Sequence, residues 1–248
     1  MNTRSEVAKF RRAFRAAASE ARARGQKAYL KSPLRFHGIT TPHLRRVVGD
    51  FARAHRDLSR RDLVALVRAL WQTDFHDLRW VGIALLERYP DRLTAADLAL
   101  VERLLVRSCT WDHVDWLSTK VAAPLVERFP KETRRLDLWA RHGSFWIRRA
   151  AMLSLLPAIR RGEGDFARFA RYASPLVIEK EFFVLKAIGW VLRETSKKRP
   201  ALAYAFLAAH RDRVSGLTLR EGAKYLSRAE RKALGLPPTP ARARPVPR

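Results

Sequence analysis

The segment Thr110-Trp-Asp-His-Val-Asp115 sets an indole and a carboxylate at a spacing that chemistry can use. On a helix, Trp111 and Asp115 are four residues apart and share a face. A buried tryptophan beside a capping or ion-paired aspartate would read the same way. Asp112, at the start of the segment, is expected to be the capping residue. One repeat further on, Trp146-Ile-Arg-Arg149 sets Arg148 and Arg149 side by side, either as solvated or ion-paired cations or as a grip on an anion. Lys186-Ala-Ile-Gly-Trp190 again spaces a polar head and an indole by four. Gly189 costs a helix roughly 0.8–1 kcal/mol relative to alanine, which a close approach by a helix or a ligand would explain. Asp115, Arg149 and Lys186 are separated by 34 and 37 residues. An acid between aromatic rings, with cations nearby, suits a sugar–phosphate backbone.

Such intervals act together only if elements recur at the same interval. Helical periodicity dominates the chain, and no convincing strand-like alternation appears. Start signals recur: Thr41 before Pro42 reads as an N-cap followed by proline at the first helical position. Ser59-Arg-Arg-Asp62 and Thr94-Ala-Ala-Asp97 read as capping boxes with Asp in place of Glu. Stop signals fall at Pro90, Pro130 and Pro200, and Gly25 is expected to separate a first helix, about residues 5–24, from the next. Ala84-Leu-Leu-Glu-Arg-Tyr-Pro90 parallels Pro124-Leu-Val-Glu-Arg-Phe-Pro130, with 40 residues between the prolines. Phe145-Trp-Ile-Arg-Arg-Ala-Ala-Met-Leu and Phe183-Val-Leu-Lys-Ala-Ile-Gly-Trp-Val read as inner helices of the same unit. A period of 35–40 residues with paired helices and no strands points to HEAT-type stacking. The expected fold is all-α, a HEAT-like helical repeat solenoid (an alpha-alpha superhelix), curved with a basic concave face. Residues 1–235 form one domain in this reading, and 236–248, rich in Pro and Arg, a disordered tail.

Charge narrows the partners. Lys and Arg number 50 against 24 Asp and Glu, a net charge of +26. So large an excess repels itself, and a polyanion relieves the repulsion. Genomic base composition can enrich arginine, but it does not explain so few acids. The lone cysteine, Cys109, excludes an intramolecular disulfide, a Cys-ligated cluster and the Cys-rich zinc sites. The histidines lack metal-ligand spacing. The polar N-terminus is unlike a signal peptide, and no stretch has the roughly 20 apolar residues of a membrane helix. A soluble cytoplasmic monomer without metal, cofactor or membrane partner is expected.

Four stretches carry a family resemblance: HGITTPHLRR (37–46), TWDHVD (110–115), WIRRAA (146–151) and EFFVLKAIGWVLRE (181–194). Together they resemble the bacterial DNA alkylation repair glycosylases of the AlkD family over about residues 25–225; the last stretch is the most specific. The resemblance implies a HEAT-like repeat fold and a monofunctional DNA-alkylpurine N-glycosylase, a hydrolase acting in base excision repair. Its substrate is duplex DNA with cationic N3- or N7-alkylated purines. It implies that Asp115 is the catalytic aspartate, that Trp111 and Trp190 line the cleft, and that the arginine is Arg149, with Arg148 as the alternative. Tyr29 matches an N-terminal aromatic facing the DNA, and Arg148, Lys186, Arg45 and Arg46 are the expected DNA-binding cations. Thr110 departs from the aromatic that relatives carry before the first tryptophan. The resemblance also implies work on the sugar–phosphate side without a base pocket, hence tolerance of bulky lesions.

A cationic purine leaves without protonation, so the two carboxylates of ordinary glycoside hydrolysis reduce to one. A non-catalytic HEAT-like nucleic-acid-binding or scaffold protein shares the charge and the repeats but is indifferent to Asp115. The same solenoid could take RNA instead. Leu156-Pro-Ala-Ile-Arg-Arg-Gly162 faintly matches a helix–hairpin–helix motif, with Arg160 where a glycine belongs.

Overall fold

In the computed structural model, which describes residues 1–237, the regular structure of the described chain is helical, with one isolated parallel bridge between Arg35 and Phe75. None of the described helices is long and apolar enough to cross a membrane. The fold divides into two compact units, Met1–Trp139 and Ala140–Arg248. The expected tail lies outside the described residues from 238 onward; before it, Arg231 donates to the Pro237 carbonyl at 3.0 and 2.9 Å.

In the first unit, helix Arg60–Trp71 shows how pattern becomes packing. Leu63, Leu66, Val67, Leu70 and Trp71 recur at helical spacing and all are buried. They face helix His76–Arg88, which is buried on nearly every side. A Cβ at Gly82 would lie 2.9 Å from the Trp71 ring, so the two helices pack that closely only around a glycine. Ser59 caps the first of these helices, accepting from the Asp62 amide at 3.1 Å. Thr94 and Asp97 form the full capping box, although it opens a short 3-10 turn, Ala95–Asp97, rather than a long helix.

Two expected boundaries move. The cap of helix Thr41–Ala54 is Thr40, which accepts from His43, because Thr41 already has helical backbone and Pro42 falls within the first turn. Gly25 lies inside helix Glu20–Leu30, not between helices. The break comes earlier, after helix Thr3–Ala16, where Ser19 caps the next helix and accepts from the Arg22 amide. The segment Leu156–Arg161 is a helix closed by Gly162 in the left-handed region (φ 93°), not a hairpin.

The proline stops hold, and the paralleled segments share a local structure. Helix His76–Arg88 ends at Tyr89, whose N–H donates to the Leu85 carbonyl, and Pro90 opens a 3-10 turn. Helix Ala123–Arg128 ends at Phe129, whose N–H donates to Leu125, and Pro130 opens the corresponding turn. Pro200 likewise starts helix Pro200–Ala209 after Phe182–Lys198. The sequence period returns as polar ties inside each unit. Arg60 grips Asp97, 37 residues away, and Trp139 donates to Glu102, also 37 away. In the second unit Arg160 meets Glu194 at a separation of 34, and Arg199 donates to the Glu163 carbonyl at 36.

The second unit is organised around helix Phe182–Lys198, which crosses helix Gly216–Gly222. The cost of Gly189 is explained there. A Cβ on Gly189 would sit 2.9 Å from the Glu221 Cβ and 3.3 Å from the Thr218 Cα, and one on Gly222 would sit 2.9 Å from the Leu192 Cβ. Each helix offers a glycine to the other, so Gly189 is there for a helix crossing. Gly189→Val is expected to destabilise by about 1–3 kcal/mol through overpacking. Gly25→Ala, where nothing lies within 4 Å, is expected to stabilise by roughly 0.5–1 kcal/mol. Urea midpoints at constant m-value check both; equal shifts would contradict the packing account.

Candidate functional site

Helix Trp111–Trp116 starts after extended Thr110 and places Trp111 and Asp115 one turn apart, as their spacing predicts. The chain continues helically through a π turn, Leu117–Ala122, into Ala123–Arg128. Pro124, two residues after the π turn ends at Ala122, brings no N–H to the backbone ladder. Such turns concentrate at functional sites, and this one follows directly on Asp115's helix. Asp115 is half-buried and its carbonyl accepts from the Thr119 hydroxyl at 2.7 Å.

The Trp111 ring stands edge-on to Tyr29, centroids 5.8 Å apart at 80°. Tyr29 is 73% exposed although it is aromatic, unusual for a side chain with no ligand to meet. Together with Trp80, His76, Gln26 and Asp112, the two rings line a cleft of about 270 Å³ in the first unit.

Asp112 is not the expected cap. The helix has no side-chain cap, because the Asp112 carboxylate turns to accept from His76 Nε2 at 2.8 Å and Trp80 Nε1 at 3.1 Å. Burial pushes its pKa up, but the His76 hydrogen bond and the neighbouring imidazoles outweigh burial and hold it well below the usual carboxylate range. An anionic carboxylate is therefore fixed at the cleft wall, one turn before Asp115. Behind it His113 is fully buried, its Nε2 donating to the His76 carbonyl at 3.2 Å. The His113 ring stacks on His76 at 4.3 Å, and Phe36 also stacks on His76, at 4.4 Å. Burial, aided by the His76 charge, pushes the His113 pKa down to about 3.

Sequence inspection missed His76, Trp80 and the real role of Asp112. The available signal was the interval: His76 and Asp112 are 36 residues apart, close to the spacing of the paralleled sequence segments. Among the described residues, His76, Asp112 and His113 also form the one group whose ligand atoms come within 4.8 Å of one another, as a metal site requires. His76 Nε2 already bonds Asp112 Oδ2 and His113 Nε2 the His76 carbonyl, while Asp112 Oδ1 and His113 Nδ1 are buried without a hydrogen-bond partner among the described residues.

The expected cations divide by how they are engaged. Arg45 and Arg46 are exposed on helix Thr41–Ala54; Arg45 lies 4.8 Å over the Trp116 ring, and Arg46 meets His43 at 2.9 Å. In the second unit Arg148 pairs with Glu179 at 2.8 Å and donates to the His142 carbonyl at 2.7 Å. Lys186 pairs with Glu221 at 3.3 Å. Arg149 is only 3% exposed and donates to the Phe183 carbonyl. Trp190 is half-buried with the Arg160 guanidinium 5.8 Å over its ring. The structure thus gathers Tyr29, Trp111 and the Asp112–Asp115 helix in one unit, while Arg148 and Lys186 are already ion-paired in the other.

Comparison with known proteins gives a consistent picture. A family model described as "DNA alkylation repair enzyme" matches residues 10–226. Among solved structures, the chain is similar to one described as "Predicted DNA alkylation repair enzyme from Enterococcus faecalis". That likeness has a TM-score of 0.77 at 23% identity, over 85% of this chain and 97% of the other. At that identity the likeness speaks for the fold. No curated protein matches the chain.

Proposed function

Since the chain belongs to the DNA alkylation repair enzyme family, we propose that it is a monofunctional DNA glycosylase hydrolysing the N-glycosidic bond of cationic N3- and N7-alkylpurines in duplex DNA. The observation that carries this reading is the helix Trp111–Trp116, which sets an indole facing an exposed tyrosine one turn from Asp115.

The alkylated base already bears the positive charge that an acid would otherwise supply. As the C1′–N bond breaks, its electron pair returns to the base and neutralises it, while positive charge moves to the sugar. Asp115 stabilises that charge and orients the water that adds to C1′. A charge pair near 4 Å at an effective dielectric of 20 is worth about 4 kcal/mol, roughly a thousandfold in rate if realised only at the transition state. Trp111 faces the same developing cation with its π system, worth about 0.5–2 kcal/mol. The fixed anion at Asp112 adds to the negative potential at the cleft wall. Trp190 packing a deoxyribose and Arg149 fixing the nucleotide are roles carried over from the family resemblance. The excess of 26 positive charges supplies attraction to the duplex.

The direct test is incubation with methylated duplex DNA, scoring free N3-methyladenine and N7-methylguanine together with abasic sites. Base release with an intact strand, undiminished by a chelator, is expected. Tight binding with no release would leave the non-catalytic binding protein instead. Within this reading, Trp111→Ala is expected to slow single-turnover release about tenfold with little change in the unfolding midpoint. A wild-type rate for that variant would remove the indole from the mechanism.

A further inference from the structure

Helices Arg60–Trp71 and Leu98–Val106 of the first unit flank a groove that the Trp111–Asp115 chemistry does not use. Its volume is about 590 Å³, and it continues into a second hollow of about 400 Å³ that shares Arg68, Leu100 and Arg103 as walls. Neither hollow shares a lining residue with the Tyr29–Trp111 cleft. Small side chains take part in the lining, Ala99 in the larger hollow and Ala65 in the smaller.

Arginines line its walls, and the acids among them are already neutralised. Asp97 is gripped by Arg60 through two bonds of 2.8 and 2.6 Å, and Glu102 accepts from Trp139 at 2.9 Å and Arg135 at 3.3 Å. What remains is Arg61, Arg68 and Arg103, exposed and making no ion pair among the described residues. Arg107 joins them, steered along the wall by the Trp71 carbonyl at 3.0 Å. Guanidiniums concentrated in one furrow repel one another, and an anion with repeated charges relieves all of them together. Planar, bidentate donors suit phosphate in particular.

We infer that this arginine groove is a second nucleic-acid site, holding the phosphate backbone of duplex DNA apart from the cleft where the base is released. The inference rests on the reading that the protein works on DNA, but not on the chemistry at Asp115. Length agrees with it. A helix of 12 residues, as Arg60–Trp71 is, is about 18 Å long, enough to follow about five phosphates of one strand at roughly 3.4 Å each. The apolar floor at Ala99, Leu100 and Val106 matches the sugar edge between phosphates. A duplex held here would keep the protein on DNA while the cleft is empty, which a search among undamaged sequence requires.

The test is the salt dependence of binding to an undamaged duplex of about 30 bp, for the full chain and for the triple variant Arg61→Ser, Arg68→Ser, Arg103→Ser. Removing one cation from a phosphate lowers the slope of log K against log salt by about 0.9, so the triple variant is expected to flatten it by about 2 to 3. A lysine triple at the same positions keeps most of the slope. A control triple on helix Thr3–Ala16, Arg4→Ser, Arg12→Ser, Arg15→Ser, removes the same charge and leaves the slope nearly unchanged. An unaltered slope in the groove variant, or an equal loss in the control, overturns the site. So does protection of the groove arginines by polyglutamate but not by DNA. Single-turnover base release at saturating protein reads the cleft separately. Its persistence in the groove variant keeps the two sites distinct, and release abolished together with the slope overturns that separation. A wild type that releases no base yet shows the groove effect ends the glycosylase reading and leaves the groove standing.

Discussion

Asp115→Asn is expected to slow release of N7-methylguanine from duplex DNA by about a thousandfold, while affinity for the same duplex changes little. The asparagine keeps the shape and hydrogen-bonding reach of the side chain and removes only its charge. In the proposed reaction that charge opposes the cation growing on the sugar, a contribution of about 4 kcal/mol at an effective dielectric near 20. Affinity is expected to rest elsewhere, on exposed cations rather than on Asp115, because phosphate contacts and counterion release supply most of the free energy of binding a duplex. Single-turnover rates at saturating enzyme, with an unfolding midpoint to certify the fold, separate the two quantities. Excision by the variant at the wild-type rate would end the assignment of Asp115, whatever the binding data say.

Stability should decline on mild acidification, and His113 should be the reason. In the folded protein this buried imidazole stays neutral until about pH 3, whereas an unfolded histidine takes up a proton near 6.5. Below pH 6.5 the unfolded chain therefore binds the extra proton, and stability falls by up to about 1.4 kcal/mol per pH unit. The loss is complete near the folded value. Asp112 acts in the same direction but in a lower window. Its carboxylate is held ionised in the fold, so its contribution is present above the unfolded value near 3.9 and disappears below it. Urea midpoints between pH 6.5 and 4.5 isolate the histidine. His113→Gln, whose amide can still donate to the His76 carbonyl, is expected to flatten that slope. A slope that survives the substitution belongs to another group.

These expectations differ in how far the sequence alone could have reached them. That Asp115 and Trp111 lie one turn apart on one helix was legible because a helix turn is local: residues four apart share a face whatever the rest of the chain does. The acid sensitivity was not. His113 looks like any polar residue on a short helix until His76, 37 residues earlier, is found stacked on it. Asp112 shows the same limit. By position it was a cap, and in the fold its carboxylate is spent on His76 and Trp80. Arg148 and Lys186 were legible as helical cations, but not as cations already paired with Glu179 and Glu221.

Amino-acid order by itself settled the helical class, the proline stops and the family motifs. All of these follow from short-range rules: backbone propensity, capping chemistry and the period of apolar residues. The tertiary structure decided which helices touch and in what register. It made Gly189 and Gly222 the two halves of one crossing, and among the described residues it left Arg61, Arg68 and Arg103 without an ion pair beside small alanines. The physical reason is that a side chain's partner on another helix is fixed by how the two helices rotate and slide to fill space. A shift of one residue in that register turns a salt bridge into a free charge.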